Sequence, residues 1–121
     1  MNNDGWRLRD ASEFDAVFRG NRFRVSSPAF LLLAKENNLQ RSRLGMVIGK
    51  KNVKLATQRN RTKRVIRERF RQHFVEDLLS IDLIVLAKSG VNTRDRVALN
   101  QQVTTLMEKL IQKFGRQDQH A

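Results

Sequence analysis

The chain contains no cysteine, no tyrosine, one proline, one tryptophan and two histidines among its 121 residues. Without cysteine there are no disulfides and no thiolate metal sites, which fits a reducing compartment. No stretch approaches the roughly 18 consecutive apolar residues that a membrane span requires. The opening Met1-Asn2-Asn3-Asp4-Gly5-Trp6 is polar and acidic. It lacks the apolar run of a secretory signal, so a cytoplasmic protein is expected. Repeats, low-complexity stretches and linkers are missing as well, and the length suits one domain. The shortage of histidine limits the chemistry. A hydrolytic enzyme working alone usually needs a positioned base and acid, or carboxylates that hold metals. His120 lies in the C-terminal tail, and His73 near Glu76 and Asp77 makes either a weak metal site or an ordinary helix end. No catalytic residue is assigned in the protein, and no cofactor or metal is expected on it.

Acidic residues are scarcest in the middle of the chain. Between Arg41 and Arg71 lie twelve of the 24 basic residues and a single acid, Glu68, so this window holds nearly all of the formal net charge of +12. The pI is near 11.4. Apolar residues still make up 40% of the chain, enough for a core despite 30% charge. Such a positive block on a folded element points to a polyanion partner, most often nucleic acid.

The spacing predicts a short helix over Ser12–Gly20, with Ser12 and Asp15 as a capping box, Gly20 as a left-handed stop, and Phe14, Val17 and Phe18 on one face. Strands follow at Arg22–Ser26, Ala29–Ala34 and Leu44–Gly49, and the strongest strand signal is Ile81–Ala87. A basic helix starts at Ala56, and a final helix is expected over Val97–Phe114, leaving Gly115–Ala121 as a tail. The order is α-β-β-β-α-β-α. This is an α+β fold, a single α-β sandwich with a four-stranded sheet and a core of about residues 7–114.

On a helical wheel Asn60, Arg64, Arg67 and Arg71 form one stripe flanked by Arg61, while Ile66, Phe70 and Phe74, with Val65 beside them, lie opposite. Like charges at i+4 repel by a few tenths of a kcal/mol each. A solvated face ordinarily mixes signs, and this one does not. No second helix stands a short turn before Ala56, so the helix-turn-helix context for DNA is missing and no DNA partner is expected.

Lys50-Lys51-Asn52-Val53, followed by Arg59-Asn60-Arg61-Thr62-Lys63-Arg64-Val65-Ile66-Arg67-Glu68, resembles the signature of the bacterial ribonuclease P protein subunit. That family carries Arg-Asn-Arg on a basic helix, preceded by a Lys-Lys pair at a strand end. The resemblance extends to Arg7-Leu8-Arg9, Glu13-Phe14, Val17-Phe18 and Gly20, to Leu44-Gly45 with Val47, and to Ile84–Lys88. It covers about 100 residues in order.

The resemblance implies an α-β sandwich with a left-handed crossover from the third strand through the basic helix to the fourth, against the usual right-handed rule. It implies removal of the 5′ leader from precursor tRNA, with the chemistry and its divalent metal (magnesium) held by a partner RNA. Lys50, Lys51, Arg59, Asn60, Arg61, Lys63, Arg64, Arg67 and Arg71 would contact that catalytic RNA, since arginine grips phosphate in a planar fork. Asn60 either reads a base edge or 2′-hydroxyl or caps a neighbouring carbonyl. The family's cleft for the single-stranded leader maps to Phe14, Phe18 and Phe30, with Leu33 as a further wall. Aromatics at helical spacing are as readily core, and Phe30 leans toward the core. Two departures stand out. Family members often place a tyrosine on the sheet wall, and this chain has none; Thr62 stands where a bulky aliphatic residue is commoner. A non-catalytic RNA-binding module, such as a ribosomal protein, is the competing reading, told apart by which RNA co-purifies.

Overall fold

The computed structural model describes residues 6–75 and 79–119, with side chains as far as Gly115. Glu76, Asp77 and His120, the remaining partners of the weak metal site and the tail histidine, lie outside the described residues.

Helix α1 spans Ala11–Gly20. Its capping box begins at Asp10 instead of Ser12: the Glu13 amide donates to Asp10 Oδ1 at 3.0 Å, and the Asp10 amide donates to Glu13 Oε1 at 3.3 Å. Asp15 pairs with Arg19 at 3.2 Å, one turn further on. Gly20 is no left-handed stop, since no glycine among the described residues has a positive φ. Instead the Asn21 side-chain amide donates to the Val17 and Phe18 carbonyls at 3.1 and 3.0 Å, which satisfies the helix end without a backbone reversal.

Strands β1 (Phe23–Ser26), β2 (Phe30–Glu36), β3 (Arg43–Val47) and β4 (Ile81–Ala87) form one sheet in the order β1-β2-β4-β3. β2 runs antiparallel to β1 and β4, and β3 runs parallel to β4. That parallel pair is joined through helix α2 (Ala56–Phe70), which ends in a π-helical turn over Arg71–Val75. A 3-10 helix, Ser89–Thr93, then leads to α3, Arg96–Gln119. The last helix therefore outruns the expected stop at Phe114. Gly115–Gln119 is helical, because a lone glycine costs a helix only about 1 kcal/mol and no proline follows it.

Side-chain alternation along the strands divides the interior in two. Phe30, Leu32, Leu83 and Val85 meet Val65, Ile66 and Phe70 of α2 and the apolar stripe of α3, from Leu99 to Phe114. On the other face Leu31, Leu33, Ile84 and Leu86 meet Leu8, Phe14 and Val17. The first core is large and closed. The second is small and partly open, covered by α1 alone among the helices.

Candidate nucleic-acid interface

Helix α2 carries its polar face in solvent because its apolar positions hold the other side down. Val65, Ile66 and Phe70 are buried, as is Thr62, whose hydroxyl donates to the Gln58 carbonyl at 2.7 Å. Thr62 is therefore a buried polar side chain whose hydroxyl is satisfied within its own helix. Asn60, Arg61, Arg64 and Arg67 are exposed together, and Lys63 and Arg71 are half-buried beside them. Arg71 Nη2 lies 3.5 Å from Glu68 Oε1.

Lys50 and Lys51 are exposed on the loop between β3 and α2. The Asn92 side chain donates to the Asn52 carbonyl at 2.6 Å, and buried Val53 anchors the loop to the core. Arg59 completes the fastening. One of its terminal nitrogens donates to the Val53 and Lys54 carbonyls, both at 2.9 Å. Arg59 thus holds the lysine loop against α2 with the group expected to reach RNA.

Two side chains that sequence spacing did not link to the stripe join it from α3. Thr57, Asn60, Arg61 and Arg64 line a groove of about 330 Å³ with Arg96. The groove continues past Arg64, Glu68, Arg69 and Arg96 to Asn100. Buried Nε of Arg69 has no hydrogen-bond partner among the described residues. Arg96 lies beyond β4 in sequence, so no local periodicity relates it to α2.

Arg43 belongs to the basic window but not to the stripe. Its guanidinium makes a bidentate pair with Asp82, at 2.9 and 2.7 Å, and donates to Glu13 Oε2 at 2.5 Å. The Asp82 hydrogen bonds, above all, raise the pKa of Arg43 against the effect of burial. Glu13 is held below the usual carboxylate range, chiefly by the Arg9 amide at 2.6 Å, and also by Arg43. The Ser12 hydroxyl does most to lower Asp10. Together these contacts tie the start of α1 to the sheet.

At 100° per residue, Glu13 and Gly20 lie on the flank of α1 near Arg43 and Lys35, and Phe14 and Phe18 lie together on the adjoining flank. Phe18 is 42% exposed. Phe14 is half-buried over Gly45, where a Cβ would come within 2.6 Å of the ring. Leu31, Leu86 and Val47 are neighbours in the strand register and so share this face of the sheet. Val47 is 37% exposed. Leu33 lies on this face but is buried beneath α1 with Val17. Phe30 does not reach the cleft. It is fully buried in the core on the opposite face, because residues 30 and 33 differ by an odd number along one strand. Leu31, which that alternation selects, takes the place assigned to it.

Fold and site together define the class: an α-β sandwich with one exposed, strongly basic helix face and, on the other side of its sheet, an apolar face covered in part by α1. The Ribonuclease P family model matches residues 3–111. Over 115 residues the chain is 46% identical to the ribonuclease P protein component of Pseudomonas aeruginosa, covering 95% of this chain and 84% of that one. It is 41% identical over 104 residues to the Acinetobacter baylyi component, covering 86% and 79%. Among solved structures it is similar to the Staphylococcus aureus RNase P protein, with a TM-score of 0.72, 25% identity and 88% and 93% coverage. The Thermotoga maritima RNase P protein superposes with a TM-score of 0.71, 26% identity and 85% and 96% coverage. The chain belongs to the bacterial ribonuclease P protein family, the protein subunits of the ribonucleoprotein endoribonuclease that processes tRNA. Among the described residues, no helix is long and apolar enough to cross a membrane, and no three His, Cys, Asp or Glu side chains cluster as metal ligands.

Proposed function

We propose that the exposed face of α2 binds the catalytic RNA of ribonuclease P, while the cleft between α1 and the sheet takes the single-stranded 5′ leader of precursor tRNA. The protein assists endonucleolytic leader removal in the cytoplasm, and the reacting groups and magnesium ions belong to the RNA. The observation that carries this reading is the shared exposure of Asn60, Arg61, Arg64 and Arg67 on one helix face, within a window holding only one acid. Arg96 and Arg69 extend that surface toward α3, and Lys50 and Lys51 extend it toward the loop. Arg59 acts by holding that loop in place. In the cleft, Phe14 and Phe18 face Leu31, Leu86 and Val47, which offers unpaired bases apolar surface without a tyrosine hydroxyl. Stacking there is worth on the order of 1–3 kcal/mol per base.

The test is cleavage of precursor tRNA at low magnesium by the source organism's catalytic RNA, with and without this protein, and by the protein alone. Cleavage at the mature 5′ end only when both are present is expected. If the protein adds nothing to the RNA, the proposal fails; cleavage by protein alone would overturn the assignment of the chemistry to RNA.

A further inference from the structure

We infer that a recess between the N-terminal segment and α2 receives one unpaired base of the catalytic RNA, beside Trp6 and between Arg7 and Arg67. This rests on the reading of α2 as the surface for that RNA.

The recess has a volume of about 290 Å³ and is lined by Trp6, Arg7, Leu44, Met46 and Arg67. That is roughly ten times the share of one water in the liquid, ample for a flat heterocycle. Its walls are fixed by the fold. The Leu8 amide donates to the Leu44 carbonyl at 2.9 Å, and Arg7 forms a parallel bridge with Leu44, so the segment lies along the outer edge of β3. Trp6 stacks on Phe70 at 5.5 Å and 29°, and Phe70 stacks on Phe74 at 5.5 Å. The indole therefore ends a run of three rings rooted in the core. Phe70 and Phe74 are fully buried, whereas Trp6 stays partly exposed.

The chemistry of the lining selects the ligand. Among the described lining residues there is no carboxylate, and there are two guanidinium groups. A bare phosphate would use the arginines but leave the indole, the thioether and Leu44 unused. A base within a duplex has no free face to offer. An unpaired base has flat apolar faces and polar edges, which suit aromatic and arginine planes. Arg67 is also the continuation of the Asn60–Arg64 stripe. A strand whose phosphates follow that stripe carries its bases past the recess.

Trp6 is the only tryptophan in the chain, so intrinsic fluorescence reports on this recess alone. The full chain is titrated with the catalytic RNA, following complex formation by electrophoretic shift and Trp6 emission in the same samples. Emission is expected to be quenched in step with binding. Trp6→Leu, which keeps an apolar side chain on Phe70, is expected to weaken RNA binding about ten-fold, and Trp6→Phe to recover most of it. Complete binding with unchanged wild-type emission overturns the inference and leaves the α2 reading standing, whether or not the variants fold. Quenching by precursor tRNA but not by catalytic RNA overturns it too. Absence of RNA binding removes the α2 reading itself, and the recess with it.

Discussion

Replacing Arg43 with alanine separates the structural arginine of the basic window from those that face solvent. The Arg43 side chain is 17% exposed, and its partners Asp82 and Glu13 are 7% and 25% exposed. Removing it leaves the Asp82 carboxylate buried, with the Asn37 amide at 2.7 Å as its remaining side-chain partner. Breaking a buried pair from one side costs about 3–5 kcal/mol. The surviving amide and the partial exposure place Arg43→Ala near the lower end, at about 3 kcal/mol. With a urea m-value of about 1.5 kcal/mol/M, the unfolding midpoint falls by about 2 M, a large part of the margin of a domain this size. The measurement is urea unfolding followed by circular dichroism, beside RNA affinity determined where the variant is still folded. Arg43→Met combined with Asp82→Leu should recover most of the loss, because no buried charge is then left alone. A midpoint shift below about 0.5 M, or an RNA affinity lost in the folded variant, would refute the assignment of Arg43 to the scaffold.

Phe18→Ala should cost only about 1 kcal/mol of stability, since the residue is 42% exposed, yet weaken precursor with a leader relative to mature tRNA. Phe30→Ala should do the reverse, destabilising the protein by about 3–5 kcal/mol in urea unfolding without a specific leader effect. Arg64→Ala should weaken binding to the catalytic RNA and lower the salt slope of log K by roughly 0.7–0.9, read from titrations at several salt concentrations. Acid unfolding checks Glu13. Its carboxyl is lowered from an ordinary value of 4.5, so its contribution is present above that value and is lost as pH falls through the folded-state pKa. Glu13→Gln should therefore flatten the fall in stability below about pH 4.5, as followed by urea midpoints at stepped pH.

Sequence periodicity located the elements that carry their own signal. β4 spans Ile81–Ala87 and α2 begins at Ala56, as the spacing predicts, because both are long and strongly patterned. What escaped depends on contacts between distant residues. Ser12 and Asp10 are both competent caps, and only the reach of Glu13 back to the Asp10 amide decides between them. The exposed basic face was legible, whereas the diversion of Arg59 to two loop carbonyls and of Arg43 to Asp82 was not, since charge alone does not reveal a partner. Phe30 is a different case. Alternation along β2 sets it on the opposite face from Leu33, in line with the lean of Phe30 toward the core, and selects Leu31 for the other face. Arg96 reaches the groove only because α3 packs against α2.

The strand order has a consequence for the nascent chain. β4, the last strand to be synthesised, occupies an interior position between β2 and β3. Until residues 81–87 have left the ribosome, β3 has no strand beside it and the sheet cannot close. Every basic residue of the window from Arg41 to Arg71 has by then been translated. Pairings of such sequence separation form late, because the loop entropy precedes the contacts that offset it. During synthesis, then, the basic charge of this window is complete before the shape that displays it, and the window exists first as a basic polymer and only afterwards as a folded surface.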